Sequence, residues 1–229
     1  MCSHPTPKQR AAAAALDYLF SNSVIGLGSG STAECFLIAL ADELRSGRLR
    51  NVTGVPTSES TARKAAELGI PLTTLSNSPR LAVDVDGADE VSPKLELIKG
   101  GGGALLREKM IAQHSDRMIV IADSKKRVTK LGVAFPLPVE VVQFEHEATG
   151  KFLESLGCTV KLRRKTDGSP YVSDNGSLIY DCHFPGGIDD PPSLDAKLHA
   201  RAGIIETGLF LGLAKVALIA DETHVDTIP

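Results

Sequence analysis

The sequence has no tryptophan, and aromatic residues make up only 4% of its 229 residues. No apolar run approaches the roughly 18 residues that a membrane-spanning helix needs. No basic run is longer than the three residues 163–165, and the net charge is −3. Because nucleic-acid binding needs a basic surface, we expect no nucleic-acid and no membrane partner, and a small charged molecule as the ligand.

Cysteine and histidine are also sparse, and neither shows the spacing of a metal site. The four cysteines, at positions 2, 35, 158 and 182, form no C-x-x-C pair, and the six histidines form no H-x-x-x-H pair. No G-x-S-x-G motif is present, so serine hydrolase chemistry has no support. A chain of this length needs no disulfide bonds. We therefore expect reduced thiols, a cytoplasmic location and no metal site.

The composition, with 42% hydrophobic and 23% charged residues, favours an α/β fold. From residue 8 onwards helical and strand patterns alternate, which predicts a parallel sheet with helices on both faces. The predicted helices cover 8–21, 31–46, 58–69 and 104–115, and the predicted strands cover 24–27, 51–57, 71–75, 81–88 and 117–125. We interpret the alanine-rich start as a first helix and not as a targeting signal, because Asp17 interrupts its apolar part.

The pattern changes after Gly132. The order strand, helix, strand, hairpin, helix, strand is that of a ferredoxin-like βαββαβ unit. The apolar segment "KVALIAD" near the end is expected to return to the first sheet. We therefore predict a Rossmann-like parallel-sheet domain formed by residues 1–133 and 209–229, and a smaller α+β domain formed by residues 134–208.

The segment "VIGLGSGSTA" predicts a strand, a glycine-rich turn and the start of a helix. Backbone N–H groups at a helix start attract anions, and the hydroxyls of Ser29, Ser31 and Thr32 add donors. A phosphate site is therefore one interpretation. The spacing Gly28-x-Gly30-x-x-Ala33 also fits a relaxed dinucleotide motif, and a plain tight turn remains a third possibility.

In "LAVDVDGADE" apolar residues alternate with Asp84 and Asp86, so both aspartates point to one face of a strand. The pair lies at the carboxyl end of that strand, where open α/β sheets bind ligands. Gly87 permits a sharp turn that brings Asp89 back towards Asp86. Two alternatives stay open: a solvated acidic turn, and a magnesium-dependent phosphatase motif of the haloacid dehalogenase type, in which Ala88 would replace a required hydroxyl.

The segment "LELIKGGGGALLREK" places Lys99 before four glycines and Glu108 on the following helix. A backbone without side chains lets a ligand lie against it. We expect Glu108 to be partly desolvated, which would raise its pKa and suit a general base near neutral pH. The alternative for Glu108 alone is an ordinary exposed helical glutamate.

Taken in order, "GLGSGSTA", "VDGADE", "IKGGGGALLREK", "IADSKK" and "FPLPVEV" resemble ribose-5-phosphate isomerases of the A type over nearly the whole chain. The resemblance implies a Rossmann-like domain with a ferredoxin-like lid. It also implies interconversion of D-ribose 5-phosphate and D-ribulose 5-phosphate in the pentose phosphate pathway, without metal or organic cofactor. Relatives of this type form homodimers or homotetramers, so a homo-oligomer is expected.

By the same resemblance, the phosphate would be held by Lys8, Ser29, Gly30, Ser31, Thr32 and Lys126. The sugar would contact Asp86, Gly87, Ala88 and Asp89 together with Lys99, Gly100, Gly101 and Gly102. Glu108 would move the proton between C1 and C2.

Aldose–ketose isomerisation by proton transfer requires a base, a group that opens the sugar ring and a group that stabilises an enediolate. Glu108, Asp86 and Lys99 suit these three roles, and either Asp86 or Asp89 could open the ring. A sugar-phosphate sensor of the DeoR type and an NAD-dependent dehydrogenase remain alternatives.

Overall fold

The computed structural model describes residues 5–229, which divide into two compact units. The first, called here the parallel-sheet unit, comprises the described residues up to Ala88, Arg107–Arg127 and Gly212–Pro229. The second, called the antiparallel unit, comprises Asp89–Leu106 and Val128–Leu211. The antiparallel unit thus includes residues 89–106, 128–133 and 209–211, which the sequence pattern assigns to the first domain.

The parallel-sheet unit is built from alternating helices and strands. Its elements are α1 (Pro7–Ala15), β1 (Ser23–Leu27), α2 (Ser31–Ser46), β2 (Val52–Pro56), α3 (Glu59–Glu67), β3 (Val83–Gly87), most of α4 (Leu105–Gln113), β6 (Met118–Asp123), β12 (Ala214–Ala220) and β13 (Val225–Ile228). The antiparallel unit contains β4 (Glu90–Val91), β5 (Leu97–Ile98), β7 (Leu137–Val141), α5 (His146–Glu154), β8 (Thr159–Leu162), β9 (Leu178–His183), α6 (Pro191–His199), β10 (Ile204–Thr207) and β11 (Leu209–Phe210).

The central sheet of the parallel-sheet unit has the order β13-β12-β6-β3-β1-β2. All neighbouring strands are parallel except β13, which forms an antiparallel edge with β12. The strands are apolar because helices cover both faces, and Ile25, Val85 and Ile121 are fully buried with Phe36 and Leu40 of α2. The Rossmann-like prediction for this sheet is confirmed, including the return of the chain to it through β12.

Local sequence explains where the first helices begin and end. The Thr6 hydroxyl accepts from the Gln9 N–H, the Gln9 side chain accepts from the Thr6 N–H, and Pro7 occupies the first helical position of α1. Helix α2 ends at Gly47, which has the left-handed φ of 74° that a glycine adopts without strain. Ser58 caps α3 by accepting from the Thr61 N–H.

Two local predictions were wrong. The helix predicted over 8–21 ends as α1 at Ala15 and continues only as a short 3₁₀ turn, Leu16–Tyr18. The strand predicted over 71–75 forms a single bridge, Gly54–Leu72. Only the Gly54 backbone pairs with this segment, donating to the Pro71 carbonyl and accepting from the Thr73 N–H.

The antiparallel unit has a four-stranded sheet in the order β10-β7-β9-β8. With α5 and α6 between its strands, this is the ferredoxin-like arrangement that the sequence order predicts. A second, three-stranded sheet has the order β11-β5-β4. Because β4 and β5 pair with β11, which follows β10 in the chain, the segment 89–106 belongs to this unit.

Among the helices of the described residues, none is long and apolar enough to cross a membrane.

The packing of α2 on the parallel sheet gives a stability prediction. Leu40 is fully buried whereas Ile38, on the same helix, is 44% exposed. Leu40→Ala removes a buried side chain and leaves a cavity, so we expect a loss of about 2–5 kcal/mol in the free energy of unfolding. Ile38→Ala should change it by no more than about 0.5 kcal/mol. Urea unfolding followed by circular dichroism measures both, and equal losses would contradict the packing described.

Candidate active site

Candidate residues of the parallel-sheet unit gather at the carboxyl edge of its sheet. Strands β6, β3 and β1 are neighbours, so the segments that follow them meet at one edge. Lys126 ends the 3₁₀ turn after β6, Asp86 lies near the end of β3, and Ser29 follows β1. Gly87 lies between two of these segments, because a Cβ there would be 3.8 Å from the Ser29 carbonyl oxygen and 3.9 Å from that of Ile121.

The loop after β1 is held by its own serine. The Ser29 hydroxyl lies 2.7 Å from those of Thr57 and Ser58 and 3.0 Å from that of Thr61. Thr57 and Thr61 in turn donate to the carbonyls of Leu27 and Gly28. We call Ser29, Thr57, Ser58 and Thr61 the hydroxyl cluster. Since the cluster uses the Ser29 hydroxyl, the residues of the loop that present donors outward are Gly30, Ser31 and Thr32.

The first turn of α2 has the features of an anion site. Its N-cap is Gly30, with φ of 95°, and no side chain caps the helix start. The sixteen-residue helix therefore directs N–H groups and the positive end of its dipole to this point. Lys8 of α1 donates to the Ser31 hydroxyl at 2.8 Å, which adds a cation at the same place.

A cavity of about 420 Å³ opens beside this loop. It is lined by the first turns of α2 and α3, including Ser31, Ser60 and Thr61. Arg63 and Lys64 also line it. Neither was singled out from the sequence, although both follow the Ser58 cap by about one helical turn, which is the only sequence signal that could have found them.

The glycines of β1 make room for the aspartates of β3. A Cβ on Gly26 would lie 2.5 Å from Asp84 Oδ1 and 2.5 Å from Ile111 Cγ2 of α4. A Cβ on Gly28 would lie 2.5 Å from the Asp86 Cα and closer still to its carboxylate. Asp84 and Asp86 are both fully buried. Glycine is therefore required at 26 and 28 because the neighbouring strand carries carboxylates at the same level.

Asp86 also holds the turns that follow β1 and β3. Its Oδ1 accepts the Ser29 N–H at 3.0 Å and the Gly87 N–H at 2.7 Å. A carboxylate that accepts backbone N–H groups is held in one orientation. Asp86 thus ties the loop after β1 to the turn after β3.

Glu108 lies on the face of α4 that covers these aspartates. It precedes Ile111 by three residues, so both side chains lie on one face of the helix. The Ile111 side chain lies beside Gly26, next to Asp84. Helix α4 leads into the parallel strand β6 and so runs opposite to the strands. Glu108 lies about one helical turn before Ile111 and is therefore nearer the carboxyl edge of the sheet, at the height of Asp86. Glu108 is only 4% exposed.

The antiparallel unit holds the remaining candidates. Asp89 Oδ2 accepts the Gly101 N–H at 2.7 Å, so the aspartate contacts the glycine run directly. Lys99 is 2% exposed, its Nζ lies 5.4 Å from the centre of the Phe210 ring, and its backbone N–H donates to the Gly208 carbonyl. Gly101 and Gly102 are exposed, so a ligand can reach this part of the backbone.

Neither a metal site nor a dinucleotide site is supported by the arrangement. Within residues 5–229 no three side chains of the metal-binding types come together. The acidic residue nearest the end of β2 is Glu59, whose carboxylate pairs with Arg107 at 2.7 Å. It is thus already engaged where a dinucleotide motif would need it for a ribose.

The parallel-sheet unit therefore contains Lys8, Ser29, Gly30, Ser31, Thr32, Asp86, Gly87, Ala88, Glu108 and Lys126. The antiparallel unit contains Asp89, Lys99, Gly100, Gly101 and Gly102. Sequence reasoning did not identify Arg163, Tyr171 or Asp181, which contact the glycine run or each other. Arg163 lies in the predicted strand "CTVKLRR", and Tyr171 and Asp181 lie in the hairpin pattern that follows it.

Comparison with known proteins gives consistent results. The family model described as ribose 5-phosphate isomerase A (phosphoriboisomerase A) matches residues 53–224. A ribose-5-phosphate isomerase A of Parvibaculum lavamentivorans is 48% identical over 227 residues, 96% of each chain. One from Roseiflexus castenholzii is 53% identical over 213 residues, 93% of this chain and 91% of the relative.

Solved structures agree with these sequence relatives. The ribose 5-phosphate isomerase from Plasmodium falciparum superposes with a TM-score of 0.93 at 38% identity over 96% of each chain. A D-ribose-5-phosphate isomerase in complex with phospho-erythronic acid has the same TM-score at 36% identity and the same coverage. Since the family model matches more than half of the chain and the relatives match nearly all of it, the chain belongs to the ribose 5-phosphate isomerase A family.

Proposed function

We propose that the protein interconverts D-ribose 5-phosphate and D-ribulose 5-phosphate by proton transfer through an enediolate. The observation that carries the proposal is the common edge of the parallel sheet, where an uncapped helix start with Lys8 lies beside two buried carboxylates, Asp86 and Glu108. A family member solved with phospho-erythronic acid, a phosphorylated sugar acid, supports this class of substrate.

In this proposal the substrate phosphate binds at the start of α2. Backbone N–H groups of Gly30, Ser31 and Thr32 would donate to the phosphate oxygens, and Lys8 would supply charge. Lys126, after β6, would add a second cation. Ser29, predicted as a phosphate ligand, would act through its backbone position, because its hydroxyl belongs to the hydroxyl cluster.

The proton transfer is assigned to Glu108. With the sugar in its open form, the Glu108 carboxylate would remove the C2 proton, and the electron pair would form a C1=C2 double bond while the C1 oxygen becomes an oxyanion. The O2 hydroxyl would then pass its proton to the O1 oxyanion. Return of the proton from Glu108 to C1, with C2=O forming, would complete the ketose. Lys99 would stabilise the oxyanion, and Asp86 or Asp89 would assist ring opening.

The proposal includes neither a metal nor an organic cofactor, because base, ring-opening group and cation are all supplied by side chains. It also includes a homodimer or homotetramer in solution. Phe144, which is 82% exposed, and the partly exposed Val142 provide apolar surface of the kind that oligomer interfaces bury.

The base assignment gives the central prediction. Turnover of ribose 5-phosphate should persist in excess EDTA, and Glu108→Gln should lower kcat by about 10²- to 10⁴-fold, because a positioned base contributes that much. Glu222→Gln, which changes an exposed carboxylate in the same unit, is the control and should match the wild type. A coupled spectrophotometric assay with EDTA present measures all three proteins.

Near wild-type kcat in Glu108→Gln would remove Glu108 from the role of base. Binding of ribose 5-phosphate without turnover by the wild type would favour the sensor alternative. Loss of turnover in EDTA, restored by a divalent cation, would show that the reaction needs a metal.

The phosphate assignment is tested through Lys8. Lys8→Met removes a cation that lies 2.8 Å from the Ser31 hydroxyl, so we expect KM for ribose 5-phosphate to rise about 10- to 100-fold, in line with about 1.5–3 kcal/mol for a charged hydrogen bond. Lys215→Met removes an exposed cation of β12 and should leave KM unchanged. Competitive inhibition by inorganic phosphate should weaken in parallel for Lys8→Met, and equal KM values in the two variants would exclude Lys8 from the phosphate site.

A further inference from the structure

The glycine run, Gly100–Gly103, has one internal hydrogen bond, from the Gly103 N–H to the Gly100 carbonyl at 3.0 Å, and otherwise depends on other segments for its shape. Gly100 and Gly103 have φ of 97° and 83°, and glycine loses more conformational freedom on folding than any other residue. Gly101 and Gly102 are exposed, so no packing of side chains fixes them. The conformation of the run must therefore come from hydrogen bonds to its backbone.

The β8–β9 hairpin supplies those hydrogen bonds. Arg163 Nη1 donates to the carbonyls of Gly100 at 2.8 Å and Gly101 at 3.2 Å. The Tyr171 hydroxyl donates to the carbonyl of Gly102 at 3.1 Å. Three consecutive carbonyls of the run are thus bound by two side chains of one hairpin.

Arg163 is itself held rigidly. Its Nε donates to Asp181 Oδ2 at 3.0 Å, and its Nη2 pairs with Asp181 Oδ1, which makes a two-point pair with the β9 carboxylate. The Arg163 side chain is only 13% exposed, and its guanidinium lies 5.9 Å from the centre of the Tyr171 ring. Burial raises the pKa of Tyr171, so its hydroxyl remains protonated and able to donate.

One peptide group of the run is fixed from both sides. The Gly100 carbonyl and the Gly101 N–H belong to the same planar trans peptide and point in opposite directions. Arg163 binds that carbonyl, and Asp89 accepts that N–H at 2.7 Å. A change at Arg163 is therefore transmitted through a single rigid peptide to the carboxylate of Asp89.

We propose that Arg163, fixed by Asp181 and assisted by Tyr171, is a positioning residue for the isomerase reaction: it sets the orientation of the glycine run and, through it, of Asp89. This inference rests on the proposed function, in which Lys99, the run and Asp89 contact the sugar. Arg163 acts through the backbone and does not itself touch the reacting atoms. Its loss should impair catalysis far more than substrate binding, because the proposed function assigns the phosphate to the start of α2 and Lys8, which Arg163 does not contact.

Arg163→Met, Arg163→Lys and Tyr171→Phe test the proposal, with Arg164→Met as the matched control. Arg164 is the adjacent arginine on the same hairpin, but it is exposed and donates to the Gly168 carbonyl of the hairpin itself. We expect Arg163→Met to lower kcat by about 10²-fold, the effect of a misplacement near 1 Å, while KM stays within about threefold of wild type. Arg164→Met should keep both constants.

The milder variants keep the test decisive if Arg163→Met does not fold. Tyr171→Phe removes one neutral hydrogen bond and should lower kcat about three- to tenfold. Arg163→Lys keeps the charge but cannot bind Asp181 and two carbonyls at once. Its kcat should lie between those of wild type and Arg163→Met.

Hydrogen exchange of the peptide covering residues 99–104 reports on the run without using activity. Its amides should exchange about 10- to 100-fold faster in Arg163→Met, as expected for loss of charged hydrogen bonds, and at the wild-type rate in Arg164→Met. Unchanged exchange, unchanged kcat, or a rise in KM without a fall in kcat would each overturn the proposal. If the wild-type protein did not turn over ribose 5-phosphate, the proposed function would fail, and the role of Arg163 in catalysis would fail with it. Hydrogen exchange would still decide, independently, whether Arg163 fixes the glycine run.

Discussion

The close approach of β1 to β3 is the constraint on which the carboxyl edge of the parallel sheet depends. Two buried carboxylates on β3 occupy the space where side chains of β1 would lie, and only glycine at 26 and 28 permits this. Asp86 can then accept N–H groups from both neighbouring turns. The loop after β1 and the carboxylate of Asp86 are therefore parts of one packing arrangement, and a change in either strand disturbs both.

Much of the fold could be predicted from patterns that depend on burial. Strands covered on both faces are mostly apolar, so β1, β6 and β12 were identified without reference to their neighbours, and β3 by the alternation of its valines with Asp84 and Asp86. The segment 71–75 was misjudged because its apolar residues resemble a strand, whereas a strand is defined by its hydrogen bonds to a partner, and those observed join this segment to Gly54. The assignment of 89–106 to a unit depends on pairing with β11, more than a hundred residues later, which local patterns do not contain.

For the candidate site, the sequence indicated the residue types but not their hydrogen-bond partners. Asp86 and Glu108 were selected because carboxylates can act as acids and bases. The alternation of residues along β3 placed Asp84 and Asp86 on one face of the strand. The use of the Ser29 hydroxyl by Thr57, Ser58 and Thr61 is a contact between separate loops. Nor did the sequence single out Arg163, because an arginine in a hairpin is ordinarily a solvated surface residue. Arg163 differs from Arg164 in the carbonyls that it binds.

The hydroxyl cluster has a property that backbone hydrogen bonds lack. In the contacts of Ser29 with Thr57 and with Thr61 either oxygen can be the donor, because a hydroxyl both donates and accepts and its hydrogen turns about the C–O bond. Since Thr57 and Thr61 donate to the carbonyls of Leu27 and Gly28, the hydrogen that can change partner without breaking those bonds is that of Ser29, and every heavy atom stays in place when it turns. In the proposed function a phosphate binds and leaves at the loop above this cluster, and the Ser29 hydroxyl can follow the changing field by bond rotation alone.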